Sequence, residues 1–173
     1  DGDPAAPGLL SMAVDTSGRV AVAQSHAYRI SIFDSEGAEV AVVTRDVART
    51  ERTEAEITEL AAALSRGPGA REVVAAGGRA SDAPRPPEVD PLRPHFAHDA
   101  LAWDDTNRLW VRTARGGPGR TLFDLFGADG SFLGEIAVEA ELGAWSVGQG
   151  MLVGVTEDPD FGVHSVARWR LVN

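Results

Sequence analysis

The chain repeats itself, and a repeat limits the available folds more than any other property of a sequence. Val14-Asp15-Thr16-Ser17-Gly18-Arg19-Val20-Ala21-Val22 aligns with Trp103-Asp104-Asp105-Thr106-Asn107-Arg108-Leu109-Trp110-Val111. Further on, Phe33-Asp34-Ser35-Glu36-Gly37-Ala38-Glu39-Val40 aligns with Phe126-Gly127-Ala128-Asp129-Gly130-Ser131-Phe132-Leu133. The two pairs are offset by 89 and 93 positions, and the difference falls in the middle of the unit, where the second copy carries Gly116-Gly117-Pro118-Gly119.

Each aligned pair has a physical meaning. An Asp followed three residues later by Gly or Asn, ahead of a β-rich run, fits a type I turn closed by a residue in the left-handed region. Asp15/Gly18 and Asp104/Asn107 have that form, and Gly37 and Gly130 mark the next turn. Between the turns lie short runs of Val, Ile, Phe, Tyr and Trp. They predict strands at 11–15, 19–24, 27–33 and 38–44 in a first unit, and at 98–103, 108–114, 120–126 and 131–138 in a second. A third unit has strands at 144–148, 151–156 and 163–172 and then stops. Val20-Ala21-Val22-Ala23 and Leu109-Trp110-Val111 are apolar on both faces, as in a sheet covered on both sides. Four-stranded meanders packed face to face about an axis satisfy that demand. A two-sheet sandwich accounts for neither the repeat nor the two-sided burial. The fold class is therefore all-β: a partial β-propeller of about three four-stranded antiparallel blades, the last incomplete, with one inserted helix.

That helix is expected over 53–65, since Thr53 and Glu56 form a capping box and Ile57, Leu60, Ala61 and Leu64 share one face. Gly67-Pro68-Gly69 ends it, and a Pro/Gly/Ala-rich stretch through Pro94 reads as a long surface loop with a short extended piece at Glu72–Ala75. The organisation is thus an N-terminal extension (1–10), a first blade (11–46), an inserted helix and loop (47–96), a second blade (97–140) and an incomplete third blade (141–173).

Tyr28-Arg29-Ile30-Ser31-Ile32-Phe33-Asp34, then Thr53-Glu54-Ala55-Glu56-Ile57, a Pro-rich linker, Leu109-Trp110-Val111-Arg112 and Phe126-Gly127-Ala128-Asp129-Gly130 together resemble the C-terminal half of bacterial six-bladed propellers of the NHL-like type. The resemblance covers the chain from about residue 11. It implies a propeller architecture and export from the cytoplasm. Some members of such families bind ligands or partners and a few are hydrolases, so it implies no single activity. The N-terminal blades of the family have no counterpart in this sequence.

Several chemistries are excluded by composition. With no Cys, there are no disulfides, thiolate nucleophiles or thiolate metal sites. All 16 Lys+Arg residues are Arg, which removes Schiff-base chemistry and the P-loop lysine. The formal net charge is −10, and between Arg120 and Arg168 the acidic residues Asp124, Asp129, Glu135, Glu139, Glu141, Glu157, Asp158 and Asp160 have no Lys or Arg among them. Such a half repels nucleic acid and reads as a solvated acidic face, or as a docking face for a basic partner. No apolar run has the length of a membrane-spanning helix. The missing initiator Met, together with the resemblance, leads us to expect a processed, periplasmic or otherwise extracytoplasmic protein.

The chemical candidates are sparse. His95, His98 and Asp99 are the best metal-like cluster, but a three-residue spacing on a strand sends the two imidazoles to opposite faces. His164 with Glu157, Asp158 and Asp160 reads as an acid–base or calcium loop, or more simply as a solvated hairpin tip. Ser146 lacks a nucleophile-elbow context, and Gly148-Gln149-Gly150 and Gly116-Gly117-Pro118-Gly119 read as turns. Trp103, Trp110, Trp145 and Trp169 read as packing between blades, with one of them available to a ligand. No residue is assigned a catalytic, cofactor-binding or metal role, and no cofactor is expected.

Two functions remain. The favoured one is a non-catalytic interaction or scaffold subunit, membrane-extrinsic or periplasmic, bracing a larger assembly; a photosynthetic reaction-centre complex is an example of such a role, to which no residue here is specific. The alternative is an exported remnant with ligand-binding, metal-binding or hydrolase-like activity, or a homodimeric half-propeller. Three blades cannot close a ring, so the end blades are expected to present apolar faces that another protein, or a second copy, covers.

Overall fold

The computed structural model describes residues 10–24, 27–65, 89–158 and 161–171. Two compact units are present, Asp1–Ala48 with Pro94–Asn173, and Arg49–Arg93.

The larger unit is all-β. Its first sheet is a meander of β1 (Leu10–Val14), β2 (Val20–Gln24), β3 (Arg29–Phe33) and β4 (Glu39–Thr44), each antiparallel to the next. The second repeats the pattern with β5 (Phe96–Trp103), β6 (Leu109–Thr113), β7 (Thr121–Phe126) and β8 (Phe132–Val138). The third contains β9 (Trp145–Gly148), β10 (Met151–Glu157) and β11 (His164–Arg170), with β11 at its edge. The first strands of successive sheets meet, β1 against β5 and β5 against β9, so the three meanders are successive blades of a partial propeller.

The turns take the form predicted from the repeat. Gly18 (φ 85°), Gly37 (φ 85°) and Gly130 (φ 81°) are left-handed, and Asn107 (φ 60°) stands where the first blade has Gly18. A β-bulge between Phe96 and Leu101, with Asp99 at φ 52°, lets β5 begin at Phe96 rather than at 98. The extended piece expected at Glu72–Ala75 lies outside the described residues.

Two cores hold the blades together. Between blades 1 and 2, Ala21, Ala23, Ile30, Ile32 and Val43 pack against Ala100, Leu101, Leu109, Val111 and Phe126. Between blades 2 and 3, Trp110, Phe123, Leu125 and Val138 pack against Leu142 and Leu152, with Trp145, Val147 and Trp169 at the margin. Blade 2 is therefore covered on both faces, and every residue of β7 is buried. In blade 1 the alternation resolves differently from the reading of two-sided cover: Ala21 and Ala23 are buried, whereas Val20 and Val22, on the opposite face, are only half-buried.

In the smaller unit, α1 (Glu54–Ser65) starts with the expected box. The Thr53 amide donates to Glu56 Oε2 at 2.8 Å, and the Glu56 amide donates to Thr53 Oγ1 at 3.3 Å. Arg93 pairs with Glu56 at 2.9 Å and Arg49 with Asp90 at 2.6 Å, tying the strand-like segments on either side of the helix together. None of the helix residues is fully buried.

Because Asn107 sits in a left-handed turn, Asn107→Gly should leave stability within a few tenths of a kcal/mol, and Asn107→Val should cost about 1 kcal/mol or more. Urea denaturation of the two variants checks the turn: equal midpoints would remove the strain argument.

Candidate functional site

The most concentrated chemistry in the described residues is buried between blades 1 and 2. Asp124 is the fourth residue of Thr-Leu-Phe-Asp-Leu-Phe on β7 and has no exposed surface. Strand alternation points it at blade 1, on the same face as Val111 and Phe126. A carboxylate there is tolerable only if its charge is met. Tyr28 donates its hydroxyl to Asp124 Oδ2, Arg115 Nη2 donates to Oδ1 at 2.6 Å, and Arg45 Nη1 lies 2.5 Å from the same oxygen. Arg115 also holds Glu135 at 2.8 Å, and the Arg45 guanidinium lies 3.9 Å from the Phe132 ring centroid.

The cluster thus joins the two blades through one anion. Tyr28 and Arg45 come from blade 1, Arg115 and Glu135 from blade 2. Burial, reinforced by the bond to Asp124, pushes the Tyr28 phenol far above its ordinary value. Burial alone would weaken the Arg45 cation, but the Asp124 carboxylate outweighs it and holds the guanidinium charged. Two cations, one buried carboxylate and a phenol that stays protonated form a clasp and supply neither a general base nor a nucleophile.

A second pattern recurs at the hairpin-turn end of the blades. Asp15 Oδ1 accepts from the Ser17 amide and hydroxyl and from the Arg19 amide, while Oδ2 accepts from Arg19 Nε at 2.7 Å. Asp104 does the same with Thr106 and Arg108, and Trp110 Nε1 adds a bond at 3.0 Å. Burial would raise both acids; the donors, led by the Arg19 side chain at Asp15 and the Trp110 indole at Asp104, outweigh it and hold each at about 2. Arg19 then continues across the junction to the Ala128 carbonyl at 3.3 Å and covers the Trp103 ring at 4.9 Å. Between blades 2 and 3, Asp105 accepts from the Gln149 amide at 3.0 Å, Arg112 Nη1 donates to the Gly143 carbonyl at 2.8 Å, and Trp145 Nε1 donates to the Asp99 carbonyl at 2.9 Å.

The other sequence candidates are dispersed. His95 packs edge-on to Tyr28, with centroids 5.7 Å apart, whereas His98 is exposed in the bulge and paired with Asp99 at 2.9 Å. His164 faces Glu157 across the β10–β11 pair. These two line a cavity of about 510 Å³ with Glu141 and Val155. Asp160 lies outside the described residues. Ser146 sits in mid-strand on β9, and the four tryptophans serve the junctions between blades. No group of three or more His, Asp or Glu side chains with metal-binding geometry occurs among the described residues.

Among its described members the acidic run is exposed at Asp129, Glu135, Glu139, Glu141, Glu157 and Asp158 and buried at Asp124. Asp124 is fully buried, Asp129 caps its own turn through Ser131, Glu135 pairs with Arg115, and Glu139 pairs with Arg120 at 3.2 Å. Sequence reasoning missed the clasp because Arg45 and Tyr28 are distant in the chain. One signal was available: a lone Asp inside a six-residue apolar strand, which no solvated face requires. No family model matches the chain, and no curated protein matches it.

Asp124→Asn leaves Arg45 without its anion and Arg115 with Glu135 alone, and should cost about 3 kcal/mol or more, while Tyr28→Phe should cost about 1.5 kcal/mol. Chemical denaturation of both variants measures this; equal losses would show that the charge carries no special weight. The turn aspartates set the acid limit. Their folded values lie below the ordinary 3.8, so their contribution is complete above about pH 5 and is lost as pH falls through 4 toward 2, about 2 kcal/mol each. Asp104→Asn should be less stable at neutral pH and show a shallower decline between pH 5 and 2 in urea midpoints.

Proposed function

We propose that this chain is a non-catalytic interaction module of a larger assembly, acting outside the cytoplasm, and that its docking surface is the outward face of blade 1. One observation carries this reading. Met12 (63% exposed), Val14 (62%), Val40 (53%) and Val42 (39%) stand on a single sheet face with the half-buried Val20, Val22 and Phe33.

The repeat says what such a face is for. By the alignment, Met12, Val14, Val20, Val22 and Phe33 correspond to Leu101, Trp103, Leu109, Val111 and Phe126. Those residues form the face by which blade 2 packs onto blade 1. Blade 1 thus displays the docking face of a blade with nothing among the described residues packed on it as blade 1 packs on blade 2. A contiguous apolar surface of this kind marks a protein contact. A membrane-extrinsic setting, bracing a membrane complex from the water side, belongs to the same proposal.

A photoreactive residue in place of Met12 tests it in the native source. Irradiation should give discrete covalent adducts with protein, and the same probe at Glu139, exposed on blade 2, should not. Absence of adducts from position 12 would remove the docking face.

A further inference from the structure

The two end faces of the larger unit are complementary to each other, and we infer that the partner seated on blade 1 is blade 3 of a second copy of this chain. The inference rests on the docking face proposed above and names its occupant.

Within one molecule, each junction joins the outward-alternating residues of one blade to the opposite set on the next. The set that receives a neighbour is Ala21, Ala23, Ile30 and Ile32 in blade 1 and Trp110, Phe123 and Leu125 in blade 2. In blade 3, strand register places Val153, Val155, Val166, Arg168 and Arg170 on the corresponding face, with Glu157 and His164 at its far end. Val166 is 75% exposed. Blade 3 therefore offers a receiving face and blade 1 a docking face.

Charge fixes how they meet. Blades pack with like ends together: Tyr28, at the β2–β3 loop end of blade 1, meets Asp124, and Arg19, at the hairpin-turn end, reaches Ala128 in the turn after β7. In that orientation Arg29, the first residue of β3, lies at the loop end of the docking face with its side chain turned toward Glu39, and the loop end of the receiving face presents the cavity lined by Glu141, Glu157 and His164. At the hairpin-turn end, Glu36 and Glu39 of blade 1 would lie opposite Arg168 and Arg170 of blade 3, while Asp34 holds the Glu36 and Ala38 amides of its own turn. Reversing one molecule end for end would set Arg29 against the arginines and the acidic turn against Glu141 and Glu157. The present partner of Arg29 is Glu39, at 3.5 Å with both side chains largely exposed, a pair weak enough to exchange. Blade 1 of each molecule on blade 3 of the other would make two equivalent junctions related by a two-fold axis, a closed pair.

Sedimentation velocity on the purified chain across a concentration series should show a monomer–dimer equilibrium. Arg29→Glu and Glu157→Arg should each weaken it by about tenfold or more, and the double variant should recover most of the loss. Both residues are on the surface, so at concentrations where every variant is monomeric, thermal unfolding and the near-ultraviolet signal of the tryptophans should not change. A monomer at all concentrations, or a dimer indifferent to both reversals, overturns the inference. If that monomer still gives adducts at position 12 with a protein of different mass, the docking face stands with another occupant; with no adducts, both readings fall.

Discussion

The larger unit depends on the burial of β6 and β7 from both sides. Leu109, Trp110, Val111 and Phe123 have no exposed surface because blade 1 covers one face of the second sheet and blade 3 the other. A sheet with two apolar faces cannot stand alone in water, so the flanking blades are a condition of its folding. The small side chains on the facing strands of blade 1, Ala21 and Ala23, let the sheets approach, and the large ones of blade 2 fill the junction.

Hydrophobic burial brings the sheets together but leaves their alignment loosely defined, and the polar contacts remove that freedom. The Asp124 clasp ties the loop end of blade 1 to blade 2, and Arg19, reaching from the Asp15 turn to Ala128 and Trp103, ties the hairpin-turn end. Two anchors at opposite ends of one junction fix its rotation as well as its depth. Arg112 and Asp105 serve the next junction in the same manner, donating to Leu142 and Gly143 and accepting from Gln149. A buried carboxylate contributes little net stability, but it penalises every arrangement in which its cations are out of reach.

This division explains the difference between the blades. The middle blade bears a residue for each anchor on both sides, whereas blade 1 has Ser31 where blade 2 has Asp124. On its outward face the ion pair Arg29–Glu39 stands among Met12, Val14, Val20, Val22, Val40 and Val42, with Gln24, Ser31 and Thr44 beside them. Blade 3 departs the other way, with Arg168 and Arg170 on a face where blade 1 has Ala21, Ala23, Ile30 and Ile32 and blade 2 has Trp110, Phe123 and Leu125 around Arg112. The end blades keep the pattern of the repeat and change the chemistry of the faces on which no described sheet packs.

What the sequence determined by itself is local. The period-2 runs, the Asp-x-Ser/Thr-x-Arg turns, the left-handed Gly18 and Asn107 and the capping box at Thr53 each depend on residues within a few positions, so strands, turns and the helix were legible to within a residue or two, apart from the bulge that carries β5 back to Phe96. The repeat extended this to the number of blades. Two outcomes belonged to the tertiary structure alone. Val20 and Leu109 look alike in sequence, yet one is half-buried and the other has no exposed surface, because burial depends on whether another sheet arrives. Asp124 and Glu139 look alike too, yet one is the buried centre of a clasp and the other an exposed partner of Arg120. A strand's alternation decides which way a side chain points; only the packing of distant segments decides what it meets there.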